Sequence, residues 1–164
     1  MRTPICKDCA FSEKLCKTCA KKLTDGEISP LEVEIAKILY KINENYNISA
    51  SEFSKAYEIE GVVIIESSTP GLLIGKKGKV ISLISSALQK KVRIIRNTPN
   101  IKEKISDIVF PIKFIGINTY FKNGEEKAKL ILEKKAGQTL YLEEETLKKI
   151  LTKWLKREVE IIYQ

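Results

Sequence analysis

Gly71-Leu72-Leu73-Ile74-Gly75-Lys76-Lys77-Gly78-Lys79-Val80-Ile81 is the stretch on which the reading of this chain turns. Two glycines bracket two lysines between short apolar patterns of helical spacing. Glycine lacks a Cβ, so the chain can turn through conformations closed to other residues and another backbone can approach closely. The amides at the start of the following helix lack intrahelical partners, and the helix dipole favours negative charge there. Lys76, Lys77 and Lys79 add mobile positive charges beside those amides. A phosphate would be attracted by all three, which makes a single-stranded nucleic acid the leading ligand. The competing reading is a helix-helix turn that only shapes a small α/β domain.

Working outward, Gly61 to Glu66 reads as a buried strand, Ser67 to Gly71 as a turn, and Leu72-Leu73-Ile74 as a short helix. After the loop, Val80, Ile84, Ala87 and Leu88 fall on one helical face while Ser82, Ser85, Ser86 and Gln89 fall on the other. Val92 to Arg96 reads as a strand with an arginine on either side of its apolar pair. Upstream, Ser29 caps a helix with Pro30 at its first position and Glu32 reaching back. Ile35, Ile38, Leu39, Ile42 and Tyr46 make the apolar stripe of that helix. Phe53 to Glu60 supplies a strand that turns at Glu60-Gly61 into the next.

This compact order, with a helix and strand ahead of a strand, helix, GxxG, helix and strand, resembles a KH domain of the type II arrangement. Modules of that kind hold about four nucleotides in a groove beside the loop. The resemblance implies that Leu73, Ile74, Gly75, Lys76, Lys77, Gly78 and Lys79 bound the groove on one side. The Val92 to Arg96 strand would bound it on the other, with Arg93 as an edge contact to the bases. Charge agrees with that assignment. From Pro70 to Thr98 there are seven basic residues and no acidic one, against a net charge of +8 for the whole chain.

The second half looks like a damaged copy of the first. A shift of 67 residues superposes Val63-Ile64-Ile65-Glu66 on Leu130-Ile131-Leu132-Glu133 and Val92-Arg93-Ile94-Ile95 on Val159-Glu160-Ile161-Ile162. Val80, Ile84 and Leu88 map to Leu147, Leu151 and Leu155. Leu147, Ile150, Leu151, Trp154 and Leu155 form a helical stripe, in which Trp154 reads as core. Asn123-Gly124 joins Ile112 to Phe121 with Glu126 to Leu132 as a hairpin, about four residues longer than its counterpart. In place of the glycine loop stand Leu142, Glu143, Glu144 and Glu145. Three carboxylates at a helix start suit the dipole but repel phosphate.

The expected fold class is α+β, an α/β sandwich of two tandem type II KH-like units, the second degenerate. A small four-cysteine metal-binding segment precedes them. The expected boundaries are 1–28, 29–98 and 99–164. From about Pro30 to Gln164 the chain resembles the archaeal NusA-like proteins, apart from the missing second GxxG. That resemblance implies an RNA-binding factor of transcription elongation or termination, with RNA polymerase as a partner. Ribosomal proteins also carry such modules, so a ribosomal or ribosome-associated protein on rRNA is the alternative. A protein-interaction adaptor is a third.

All four cysteines lie in two pairs, Cys6-Lys7-Asp8-Cys9 and Cys16-Lys17-Thr18-Cys19. Each pair can bend around one metal ion, and together they supply four thiolates for a tetrahedral site. One Zn2+ is the first choice, with an iron site or cluster and two disulfides as alternatives. So small a segment cannot fold on apolar burial alone, and the metal would be its fold-determining contact.

Histidine is absent, hydrophobic residues make up 43% of 164, and no apolar run reaches the length of a membrane helix. Neither is there the apolar segment of a signal peptide, so the cytoplasm is the expected location, without a membrane partner. An enzyme is not expected. The acidic residues sit on helix faces or near turns and not in a pocket, and no histidine is present to activate a cysteine. The glycine loop also lacks the longer pattern of a nucleotide P-loop, and no small-molecule substrate is implied.

Overall fold

The computed structural model describes Met1–Gln164, which divides into two compact units, Met1–Asn97 and Thr98–Gln164. The segment 1–28, expected as a part by itself, falls within the first unit. Ile5, Cys9, Ala10, Cys19 and Ile28 belong to the same buried cluster as Ile35, Leu39, Val63, Ile65 and Ile84. Its helices α1 (Lys7–Ala10) and α2 (Lys17–Thr24) precede the long helix α3 (Pro30–Asn43), and α1 packs on α3. The amino-terminal residues are tied in as well. Arg2 N–H donates to Ser51 O and Phe53 N–H to Arg2 O, both at 3.0 Å.

Helix α3 starts as its capping residues dictate. Glu32 N–H donates to Ser29 Oγ at 3.2 Å, and Ser29 N–H to Glu32 Oε2 at 2.9 Å. Glu32 is buried, and its other oxygen accepts from Ala56 N–H at 3.0 Å. One carboxylate therefore caps a helix and anchors the strand beside it. The helix buries Ile35, Ala36, Leu39 and Ile42 and ends at Asn43. Tyr46, expected on its apolar stripe, lies beyond the helix and is 36% exposed.

Strands β1 (Lys55–Ile59) and β2 (Val62–Ser67) pair antiparallel through Glu60-Gly61, both at positive φ. This is the turn geometry that matches the twist of a hairpin. All six residues of β2 are buried. Helix α4 (Pro70–Ile74) takes in Pro70 and Gly71, expected as turn, because proline suits the first helical position. Helix α5 (Lys79–Leu88) follows the glycine loop and leads to β3 (Lys91–Arg96), which pairs parallel with β2. The sheet order is β1-β2-β3. Helix α5 buries Val80, Ile84 and Leu88, whereas Ala87, expected on that face, is exposed.

The second unit repeats this order in part. Helix α6 (Ile101–Val109), capped by Asn100, leads to β4 (Phe114–Lys122) and β5 (Glu125–Leu132), then α7 (Glu144–Leu155) and β6 (Val159–Tyr163). Again an antiparallel pair is followed by a parallel one, in the order β4-β5-β6. The hairpin turns at Asn123-Gly124, and its strands are longer than β1 and β2. Strand β4 begins at Phe114, not Ile112, which follows Pro111 and the end of α6.

Two departures separate the units. Nothing in the second corresponds to α4, since residues 133–143 contain no helix. The parallel register has also slid. Val63 pairs with Val92 in the first unit, yet Leu130 pairs with Ile161, where a uniform shift would give Val159. A slide of two residues keeps each side chain on its own face of the pleat. Leu147, Ile150 and Leu151 are buried as expected, but Trp154 and Leu155 are only half-buried.

Candidate functional site

The glycine loop folds as a single 3-10 turn, Lys76–Gly78, between α4 and α5. Its two glycines have different tasks. Gly75 lies at φ 77°, ψ 170°, a region essentially reserved for glycine. A Cβ there would stand 2.5 Å from Val80 Cγ2 and 2.9 Å from Val80 N, so Gly75 lets α5 close against the loop. Gly78 is left-handed at φ 72°, and a Cβ on it would meet only Ile81 Cγ2, at 3.7 Å. The space over Gly78 is open.

The loop amides divide in the same way. Gly75 N–H donates to Gly71 O at 2.9 Å, Gly78 N–H to Gly75 O at 3.1 Å, and Lys79 N–H to Lys76 O. The 3-10 turn thus occupies amides that sequence spacing assigns to the open start of the next helix. Those of Lys76 and Lys77 remain for an outside acceptor. Lys77 is itself held at φ 54°. The side chains of Lys76, Lys77 and Lys79 are exposed, and no carboxylate pairs with any of them. Lys90, by contrast, meets Glu58 at 2.6 Å.

The expected contact residues do not all share one surface. Ile74 is 38% exposed and Leu72 37%, forming an apolar lip before the loop. Leu73 is fully buried, in the same core cluster as Val80 and Ile84, so it supports the loop and offers no surface. Val92 and Ile94 join that helix-side core, and alternation along β3 puts Arg93 on the opposite face, across from Ile64. The pleat therefore does not bring Arg93 round to the loop lysines. Instead, a surface hollow of about 600 Å³ runs from Lys76, Lys77, Gly78 and Lys79 to Tyr46 and Ser82. Tyr46 escaped the sequence reading because its spacing from Ile42 continues the apolar period of α3.

At the corresponding place in the second unit, Leu142 is buried and Glu143 stands at the N-cap position of α7 without a side-chain capping bond. Glu144 and Glu145 both meet Lys148 at 3.3 Å. Hydrogen bonds that the Lys148 ammonium donates to Glu145 and then Glu144 hold it above the usual lysine pKa. This corner carries neither glycine nor unpaired cation.

The four cysteines converge. Their Sγ atoms all lie within 4.8 Å of one another. Cys6 and Cys16 each stand just before a helix, and Cys9 and Cys19 follow three residues later, which turns both thiols of a pair to one helix end. The backbone crosses between the pairs. Cys6 N–H points to Cys19 Sγ at 3.4 Å and Cys16 N–H to Cys9 Sγ at 3.1 Å. No disulfide links them, and Cys9 and Cys19 are buried while Cys6 and Cys16 are exposed.

Cys9, Cys16 and Cys19 do not hold their protons alike. The Cys19 amide, then the Cys9 thiol, lower the Cys16 pKa to about 7. At Cys9 the Cys16 amide favours the thiolate, but burial and the neighbouring thiols outweigh it and push the pKa up to about 12. At Cys19 the Cys6 amide likewise favours the thiolate, but burial and the Cys16 thiol together outweigh it and raise the pKa. Four thiolates cannot coexist here without a compensating cation, and a soft tetrahedral dication suits such a set.

A family model described as KH domain matches residues 37–120. That span takes in the end of α3, the first sheet, the glycine loop and most of β4. The transcription termination factor FttA of Methanocaldococcus jannaschii is 36% identical over 106 residues, covering 60% of this chain and 16% of that protein. The chain thus spans about a sixth of that relative's length. The crystal structure of APE1850 superposes with a TM-score of 0.51 over 77% of this chain and 96% of that one, at 17% identity, a likeness of fold.

Proposed function

Because the chain belongs to the KH domain family, we propose that it binds single-stranded RNA through the loop Gly75 to Gly78 of its first unit. The observation that carries this reading is the pairing of two uncommitted amides, at Lys76 and Lys77, with three exposed lysines that no carboxylate neutralises. Ammonium groups and amides take the phosphates, and the open face over Gly78 admits the sugar-phosphate backbone. Ile74 and Leu72 offer apolar surface to the bases. Leu73 holds the loop from beneath.

In this reading the chain is a NusA-like tandem whose second unit keeps the KH-like strand order but has given up RNA contact at its own loop. Glu143, Glu144 and Glu145 would repel phosphate there. The relationship to a transcription termination factor favours a role in transcription, with nascent transcript and RNA polymerase as partners. Cys6, Cys9, Cys16 and Cys19 would hold one zinc ion, which supplies structural cross-linking and no catalysis.

The test is RNA affinity of the intact chain, measured by anisotropy with a fluorescein-labelled, randomised 12-nucleotide RNA. Lys76→Asp/Lys77→Asp should weaken binding at least about tenfold with an unchanged circular dichroism spectrum. The neutral pair Lys76→Ala/Lys77→Ala should lower the slope of log affinity against log salt by about 1.4, two contacts at about 0.7 each. Wild-type affinity in the aspartate variant would refute the loop as the binding site.

A further inference from the structure

The hollow beside the glycine loop has an aromatic wall that the loop chemistry does not explain. Tyr46 is exposed and faces the hollow lined by Lys76, Lys77 and Lys79. Its backbone is firmly placed. Tyr46 N–H donates to Ile42 O at 2.9 Å, Ile48 N–H donates to Tyr46 O at 2.8 Å and to Asn43 Oδ1 at 3.0 Å, and Ile48 is buried. The Met1 ammonium donates to Ser49 O. A tyrosine on so well-anchored a turn presents its ring at little entropic cost, since the turn is ordered before any ligand arrives.

The lining also speaks to the occupant. No carboxylate lines this hollow, and Glu44 lines a separate one with Phe11 and Tyr40. Positive charge and a planar ring in one lining fit an anionic backbone that carries planar, stackable groups. An acidic peptide would use the lysines and leave the ring idle. An apolar partner would use the ring and bury three unpaired ammonium groups at a large desolvation penalty.

We propose that Tyr46 is a stacking platform for one base of the RNA strand, next to the phosphates held by Lys76 and Lys77. The bound path then runs from the loop across the hollow to the turn after α3. This rests on the loop reading above and adds a residue that reads the base and not the backbone. Base-aromatic stacking tolerates all four bases, so Tyr46 would add affinity without sequence preference.

Two kinds of measurement on the full chain separate this proposal from the loop itself. With the randomised 12-nucleotide RNA, Tyr46→Leu should bind about tenfold more weakly than wild type, while Tyr46→Phe should bind like wild type. The salt slope of Tyr46→Leu should stay at the wild-type value, because no phosphate contact is removed. Ultraviolet crosslinking of the same pool containing 4-thiouridine, read by mass spectrometry, should place an adduct on Tyr46. Wild-type affinity in Tyr46→Leu, or crosslinks that avoid Tyr46, would overturn the platform while loss of binding in Lys76→Asp/Lys77→Asp left the loop standing. If the aspartate variant bound like wild type, loop and platform would fall together.

Discussion

At the scale of single residues, the two glycines of one motif are not equivalent. Gly75 is required by packing and backbone together, with Val80 pressed where a Cβ would stand and ψ near 170°. Gly78 is required by a left-handed φ alone and faces open space. Gly75→Ala should therefore cost about 2–4 kcal/mol of unfolding free energy, from overpacking plus backbone strain. Gly78→Ala should cost only about 1 kcal/mol. Urea denaturation of both variants checks the order, and equal losses would show that the loop does not close on Val80 as described. Glu32 is a similar case of one residue with two duties. The spacing Ser29 to Glu32 announces the cap, but nothing local in the sequence tells that its second oxygen holds Ala56 N–H twenty-four positions away.

At the scale of elements, the amino-terminal pair of short helices is built around its thiols. Helix α1 has four residues, too short to persist without tertiary support. Metal binding must remove protons, above all from Cys9 with its pKa pushed up to about 12. Because at least that proton leaves at neutral pH, zinc affinity should fall at least about tenfold per unit as pH is lowered from 8 to 6. Competition against a chromophoric chelator at each pH measures this, and a flat profile would exclude thiolate ligation.

Elements whose signal is local were legible in advance: the capping box of α3, the hairpin turns at Glu60-Gly61 and Asn123-Gly124, the buried β2 and the stripe of α5. Features set by long-range pairing were not. The two-residue slide between β5 and β6 depends on the length of the connection, which a single 67-residue offset cannot register. Tyr46 misled for a physical reason. Its N–H bonds Ile42 O as though the helix continued, so the apolar period outlasts the helix that generates it. Arg93 and Leu73 show that belonging to the expected motif is a poor guide to sharing a surface with the glycine loop, because pleat and helix phase decide which side chains reach it. Convergence of the four cysteines, by contrast, was legible because two CxxC pairs leave few other arrangements.

At the scale of the whole molecule, the two units differ in how their charges are committed. In the second, Lys127 meets Glu158 at 2.5 Å, Arg157 meets Glu126 at 3.0 Å, and Lys148 holds the carboxylates that begin α7. In the first, the lysines of the glycine loop meet no acid, so their field is directed outward. RNA recognition should accordingly be one-sided, confined to Met1–Asn97. The most direct test is a 1H–15N correlation spectrum of the intact chain titrated with the randomised 12-nucleotide RNA. The backbone amides of Lys76 and Lys77 should move first and furthest, and those of Glu143, Glu144 and Glu145 should stay in place. Unmoved loop amides, with the largest shifts falling in the second unit, would contradict the account.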